Sequence, residues 1–456
     1  MCITKHIFGT MTASEYQSIV QHEHEEEEEE EEEEEPKVST LELFSDLVIV
    51  VSIHVVAVPL EEPGFNEFGL YFARVFFLWL AWHMMTLFMN AAVKMKSNNC
   101  PIHNFFIFLW MACILHMSQA FSTDDDVVAV QWYLFLRIFE TLIYIRQIVF
   151  PYKAMTLEDG SKGMSVSSEW LEAMSQYIPV MMFSVVFCEI LPLSLAVHWA
   201  SPETGELYIP MVGTSIALVL VSFFIGALGG LGNRGKMLVN AFDADHLSER
   251  YELITLIFTG ELCFAAGTPG NVVGSNGVLF MAFAAYLLTF KSFPLTGHVK
   301  FWARSVIHSV AGLFLYAGVF CAIPAMGSAF TRIIEGEEEE EKEGEGEEEG
   351  SEEGAISAGD LLCYAAGAYM IFTAMINLIN VDKHSVHNPE DAPKISSKNR
   401  GLIRIAAGLV IWSLAVLIPE EAEYKEAPLA AILVPFVALM ATTVEIWAVG
   451  SLKIAI

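Results

Sequence analysis

Leu41 to Ile53 reads LELFSDLVIVVSI, an apolar run opened by two carboxylates, Glu42 and Asp46, one helical turn apart. At that spacing both side chains share one face of a helix. An ionisable side chain at the centre of a bilayer costs about 2.5 to 3.5 kcal/mol by insertion scales, so such groups are kept for a pathway, a partner or an ion. His54 lies further round the same helix, and a carboxylate face with an imidazole nearby has the chemistry to pass protons or coordinate a cation. The competing reading is local. Ser39 or Thr40 caps the helix, and the carboxylates sit where the helix dipole favours them.

Working outward, the composition sets the class. Of 456 residues 54% are hydrophobic and 18% charged, and runs of about 20 apolar residues, the length that crosses ~30 Å of hydrocarbon, recur along the chain. The expected fold is all-α, a polytopic transmembrane helical bundle of about twelve spans. They lie near 41–60, 70–93, 103–122, 127–149, 176–199, 209–231, 250–268, 275–293, 301–325, 358–380, 401–418 and 427–449. Lysines and arginines gather in alternate loops, at Lys94 and Lys96, Lys153 and Lys162, Arg234 and Lys236, Lys300, Lys383 to Arg400, and Lys453. By the positive-inside rule this alternation predicts an integral membrane protein with both termini cytoplasmic.

The net charge of −32 is concentrated in two acidic tracts, Glu23 with Glu25 to Glu35, and Glu335 to Gly354, which leave −8 for the remainder. Blocks of like charge repel and bury no apolar area, so 1–38 reads as a disordered acidic tail and 335–354 as a disordered acidic loop. After the tail, 39–240 is expected to form a first six-helix half and 241–456, which contains the acidic loop, a second. Setting Leu41–Pro59 beside Tyr251–Pro269 pairs Glu42 with Glu252, Ser45 with Thr255 and Pro59 with Pro269. This faint match is that of a parallel repeat or of chance similarity between apolar helices. Seven cysteines show no C-x-x-C spacing, so no disulfide framework or zinc site is implied. No apolar signal segment precedes the acidic tract, and insertion would rely on the first span.

Other charges fall inside spans. Arg74 is the cation nearest in sequence to the first-span acids but enters from the opposite side. Arg137 and Glu140 stand at i and i+3, a self-neutralised pair by spacing alone. In the seventh span Arg250 and Glu261 are eleven residues apart and return to nearly one face, with Glu252 roughly opposite; Gly260 leaves room for a neighbouring helix. Asp243, Asp245, His246 and Glu249 have metal-ligand residue types, but the spacing fits a cap and salt-bridge network with Arg250 better, and no metal or other cofactor is expected.

The segment LELFSDLVIVVSI resembles the opening helix of the bacterial low-temperature-requirement A family, whose pattern there is Glu-Leu-Phe-Phe-Asp-Leu-Val. HLSERYELITLIFTGE, His246 to Glu261, is similar to that family's His-Leu-x-Glu-Arg-Phe and Gly-Glu signature. Carried over, the family's marked residues are Glu42, Phe44, Asp46, His246, Glu249, Arg250, Gly260 and Glu261. The resemblance implies a multi-pass membrane protein and leaves the activity open. Phe44-Ser45-Asp46 also resembles the FSD motif of endolysosomal and prokaryotic potassium channels. Thr40 stands where that family has Arg, however, and Ile254-Thr255-Leu256 replaces a second FSD.

No H-E-x-x-H, Walker loop or nucleophile constellation is present, so an enzyme is not expected. An acidic chain repels phosphate, which excludes nucleic acid as a partner. The expected function is a cation or proton channel or transporter embedded in the lipid bilayer. Asp46, Glu261 and Glu42 would form its pathway, with Glu249, Arg250, His246, Arg74, Phe44 and Gly260 in support. The alternatives are a non-transporting scaffold or stress sensor, and a distant relative of the FSD channels.

Overall fold

The computed structural model describes residues 39–62, 68–94, 101–149, 190–199, 244–267, 272–288, 306–343, 356–379, 397–417 and 427–449. Residues 1–38, Asp243, Glu189 and the span expected near 209–231 lie outside them, as does most of 176–199. Among the described residues the elements are α1 (Thr40–Ala57), a 3-10 turn (Val58–Glu61), α2 (Phe68–Lys94), α3 (Pro101–Ser122), α4 (Asp126–Val149), α5 (Leu191–Trp199), α6 (Ala244–Ala265), α7 (Val272–Tyr286), α8 (Val306–Glu343), α9 (Ala358–Ile379), α10 (Ser397–Leu417) and α11 (Ala427–Val449). Seven of them, α1 to α3 and α8 to α11, are long and apolar enough to cross a membrane. Helices α4 and α6 carry the charges Arg137, Glu140, Arg250 and Glu261 that lower their hydropathy, and α7 is described over a shorter apolar length.

Helix is the form a single apolar segment takes in hydrocarbon, because it satisfies each backbone N–H and C=O within the segment. Thus α1 is helical although Val and Ile dominate it. It ends where Pro59 enters and tightens the chain into the 3-10 turn, with the Glu62 amide donating to the Pro59 carbonyl at 3.2 Å. Helix α8 runs for 38 residues, roughly 57 Å at 1.5 Å per residue, and so exceeds the hydrocarbon thickness. It carries the helix to Glu343, where the sequence reading expects a disordered loop from 335. Glutamate is a good helix former, and extending an existing helix avoids the cost of nucleation.

Within Thr40–Ile456, a single compact unit, α1 packs on α2 and α3, α2 on α3, α3 on α4, and α4 on α5. Likewise α6 packs on α7 and α8, α7 on α8, α8 on α9, and α9 on α10. Helix α11 packs on α7, α9 and α10. Helices α6 and α8 also touch α1 and α2, which joins the sets.

That junction is filled with aromatic rings. Trp79 lies 4.7 Å from Trp82 and 4.5 Å from Phe320, and Tyr251 lies 4.6 Å from Tyr316 by ring centroids. All five are buried, and they fasten α2, α6 and α8 together. The Trp79 indole N–H reaches the Leu313 carbonyl at 3.2 Å, so the ring enters the apolar layer without an orphan donor. On the far side α9 and α10 meet through glycines. A Cβ at Gly367 would come within 2.1 Å of Trp412 Cδ1, and one at Gly408 within 2.9 Å of the Gly367 carbonyl oxygen. Only a residue without a side chain permits that approach.

Candidate functional site

Helices α1 and α6 lie side by side and run in the same direction, since Glu42 and Asp46 of α1 meet His246 and Arg250 of α6 while His54, further along α1, meets Glu261, further along α6. At the first of these levels Arg250, fully buried, forms an ion pair and hydrogen bond with Asp46. Its guanidinium also donates to Ser45 Oγ at 3.0 Å and to the Glu42 carbonyl at 3.4 Å, and stands 3.8 Å from Glu42 Oε1. Ser45 passes the connection on by donating to the same Glu42 carbonyl at 2.7 Å. From α2, Trp82 Nε1 donates to Asp46 Oδ1 at 2.8 Å, and the Trp82 ring lies 5.7 Å from the guanidinium carbon.

His246 Nε2 lies 3.3 Å from Glu42 Oε1, and Asn90 Nδ2 lies 3.4 Å from His246 Nδ1. Glu42, Asp46, His246, Arg250 and Asn90 are all buried. A dry ion pair is tolerable only when its members are also hydrogen-bonded, and Asp46 Oδ1 accepts from both the Arg250 guanidinium and Trp82 Nε1. Oδ2 of Asp46 is buried without a hydrogen-bond partner among the described residues.

The second level lies eleven residues further along α6, about 16 Å at 1.5 Å per residue. There His54 Nδ1 approaches Glu261 Oε2 at 3.5 Å, with Glu261 85% and His54 half withdrawn from the surface. Both line a partly open cavity of ≈ 30 Å³ between α1, α6 and α8, to which Glu61, Ser328 and Thr331 also contribute. Two carboxylate–imidazole pairs therefore span the α1–α6 seam with the helices exchanging roles: Glu42 of α1 with His246 of α6, then His54 of α1 with Glu261 of α6.

The structure brings Glu42, Asp46, His246 and Arg250 together and holds Glu261 apart with His54. Arg250 and Glu261 both face α1, as their spacing requires. Arg74 stays away from these acids. It binds Asp126 at 2.8 Å and Asp124 at 3.0 Å in the turn between α3 and α4, where Asp124 adopts a positive φ of 57°. Phe44 is exposed, as is Glu249, and Glu252 is half-buried. Gly260 lies on an exposed face where an added Cβ would meet nothing within 4 Å, so among the described residues no helix makes the close approach expected of it. Among the described residues no three His, Cys, Asp or Glu side chains converge as metal ligands. The Asp245 side chain lies outside them.

Arg137 and Glu140 form the buried intrahelical pair that their spacing predicts. Glu445 is held by Arg404, whose Nε reaches Oε2 at 2.9 Å and whose second nitrogen donates to the Leu288 carbonyl at 3.1 Å. Sequence reasoning missed Ser45, Trp82 and Asn90 as parts of the first cluster, and Arg404 as the partner of Glu445. The signal for Trp82 and Asn90 was present, because an indole N–H or an amide inside an apolar helix needs an acceptor on another helix.

The two signature segments, 41–53 and 246–261, thus form one buried seam. A family model described as bacterial low temperature requirement A protein (LtrA) matches residues 37–456. The chain belongs to the LtrA family. With its apolar helices, this membership makes it an integral, multi-pass membrane protein. No curated protein and no solved structure matches the chain.

Proposed function

We propose that this LtrA-family protein moves a cation or proton across its membrane, and that the seam between α1 and α6 carries the charge. The observation behind this reading is the pair of carboxylate–imidazole contacts, Glu42 with His246 at 3.3 Å and His54 with Glu261 at 3.5 Å, on the same two helices. Carboxylates and imidazoles set in series inside a membrane are the parts of a proton relay. Between the two levels α1 offers Ser52, which is fully buried and whose Oγ has no hydrogen-bond partner among the described residues. The Arg250 guanidinium on Asp46 opposes a bare cation at the first level, since like charges at such range repel strongly in a low dielectric. Proton exchange suits that level, and a small cation is better received at the second.

The test is flux into liposomes holding purified protein, under separate proton, sodium and potassium gradients, for the wild type, Asp46→Asn and Glu261→Gln. Flux in the wild type that falls at least tenfold in a variant with an unchanged elution profile supports the proposal. Absence of flux under every gradient overturns it. That outcome favours the scaffold or sensor reading, for which the bonding of Arg250 to Asp46, Ser45 and Glu42 is the observation in hand: such a knot locks α1 to α6 whether or not anything moves.

A further inference from the structure

We infer that the cavity between α1, α6 and α8 is a binding site for one small monovalent cation, held by the Glu261 carboxylate and the Thr331 hydroxyl with Glu61 at its rim. The inference names a ligand for the second level of the seam, and it rests on the transport reading only for what that ligand is used for.

The size, charge and lining of the cavity carry it. Its ≈ 30 Å³ accommodates about two water molecules, or one small ion that keeps a water. Its lining contains the carboxylates of Glu61 and Glu261 and the imidazole of His54 but no lysine or arginine, so its field favours a cation. On α8, Glu335 adds a further negative charge that acts on Glu61.

Thr331 supplies an independent sign of a ligand. Thr255, Thr259, Thr373 and Thr442 each turn the hydroxyl back onto the carbonyl of their own helix four residues earlier. Thr331 makes no such bond. It lines the cavity with nine-tenths of its surface buried and has no hydrogen-bond partner among the described residues. Ser328, also in the lining, spends its hydroxyl proton on the Ala57 carbonyl at 3.2 Å. At Gly327 the nearest atom to an added Cβ is Leu262 Cδ2, 4.0 Å away, so the glycine keeps the space open.

The charge of the ion follows from the donors. Hard divalent cations take six or more oxygens, several of them from carboxylates. Although Glu61, Glu261 and His54 all line the cavity, among the described residues no three such groups come together as ligands of one ion, and Glu261 already shares its charge with His54. One carboxylate with a hydroxyl oxygen suits a monovalent ion.

The experiment measures thermal unfolding and radioactive sodium binding for the purified full chain in lithium, sodium and potassium chlorides, with choline chloride at equal ionic strength as reference. A saturable rise in unfolding temperature with one alkali cation and not with choline is expected. It should weaken at least tenfold in Glu261→Gln, Thr331→Val and Gly327→Val, and Thr331→Ser should preserve it. Should Glu261→Gln fail to fold, the comparison of Thr331→Val with Thr331→Ser decides alone. Equal shifts in choline, or a Thr331→Val protein that binds like the wild type, would overturn the inference. Binding without flux upholds this site and overturns the transport reading, whereas flux without saturable binding does the reverse.

Discussion

Replacing Arg250 with Met removes the only cation bonded to Asp46 among the described residues while preserving most of the side-chain volume. Asp46 has no exposed surface and Glu42 is 3% exposed, so neither carboxylate can recover water in its place. Breaking a buried pair from one side costs about 3–5 kcal/mol. The upper half of that range applies, because the same guanidinium also serves Ser45 Oγ at 3.0 Å and the Glu42 carbonyl at 3.4 Å. Trp82 still donates to Asp46, but a neutral donor does not replace a counter-charge. In the double variant Arg250→Met with Asp46→Leu the orphaned charge disappears, and the loss should shrink to less than that of Arg250→Met alone, so that the coupling is at least as large as the cost of Asp46→Leu by itself, about 3 kcal/mol or more. Equilibrium unfolding in mixed detergent micelles, followed by tryptophan fluorescence, measures all three variants. If the double variant loses as much as the two singles added together, the pair is not acting as a desolvated unit and the account of the seam fails.

Arg404→Lys forfeits the forked contact with Glu445 and the bond to the Leu288 carbonyl, and should cost about 1–3 kcal/mol in the same unfolding assay. Gly367→Leu drives a side chain into Trp412 and should destabilise the α9–α10 contact by about 1–3 kcal/mol, visible as a lowered unfolding temperature. Tyr71 donates to the Cys321 carbonyl at 2.9 Å, one turn before Pro324; Tyr71→Phe should therefore cost about 1–2 kcal/mol, read from the unfolding midpoint.

The helices with continuous apolar character could be read from the sequence because hydrocarbon imposes one backbone solution. The limits of α1 follow from Thr40 and Pro59, and those of α9 from the apolar run that begins at Ala358. The course of α8 past Glu335 could not, since charge density argues for loop while glutamate's own preference continues a helix once begun. At the site, spacing revealed that Arg250 and Glu261 share a face and that Arg137 pairs with Glu140, because both are properties of one helix. Which helix they face is a tertiary fact. Asp46 and Glu261 look equivalent along the chain, yet Arg250 claims one and His54 the other. Arg74, close in sequence, is drawn away by Asp124 and Asp126, whose turn brings them to its end of α2.

The separation of Asp46 from Arg250 along the chain, 204 residues, has a consequence for how the protein is made. A ribosome adding roughly 5–20 residues per second needs about 10–40 s to travel from one to the other. During that interval the guanidinium that pairs with Asp46 does not yet exist, and among the described residues Trp82, 36 residues downstream, is the earliest side chain that bonds to it. Asp46 is thus made long before the guanidinium that neutralises it, whereas Arg404 waits only 41 residues for Glu445.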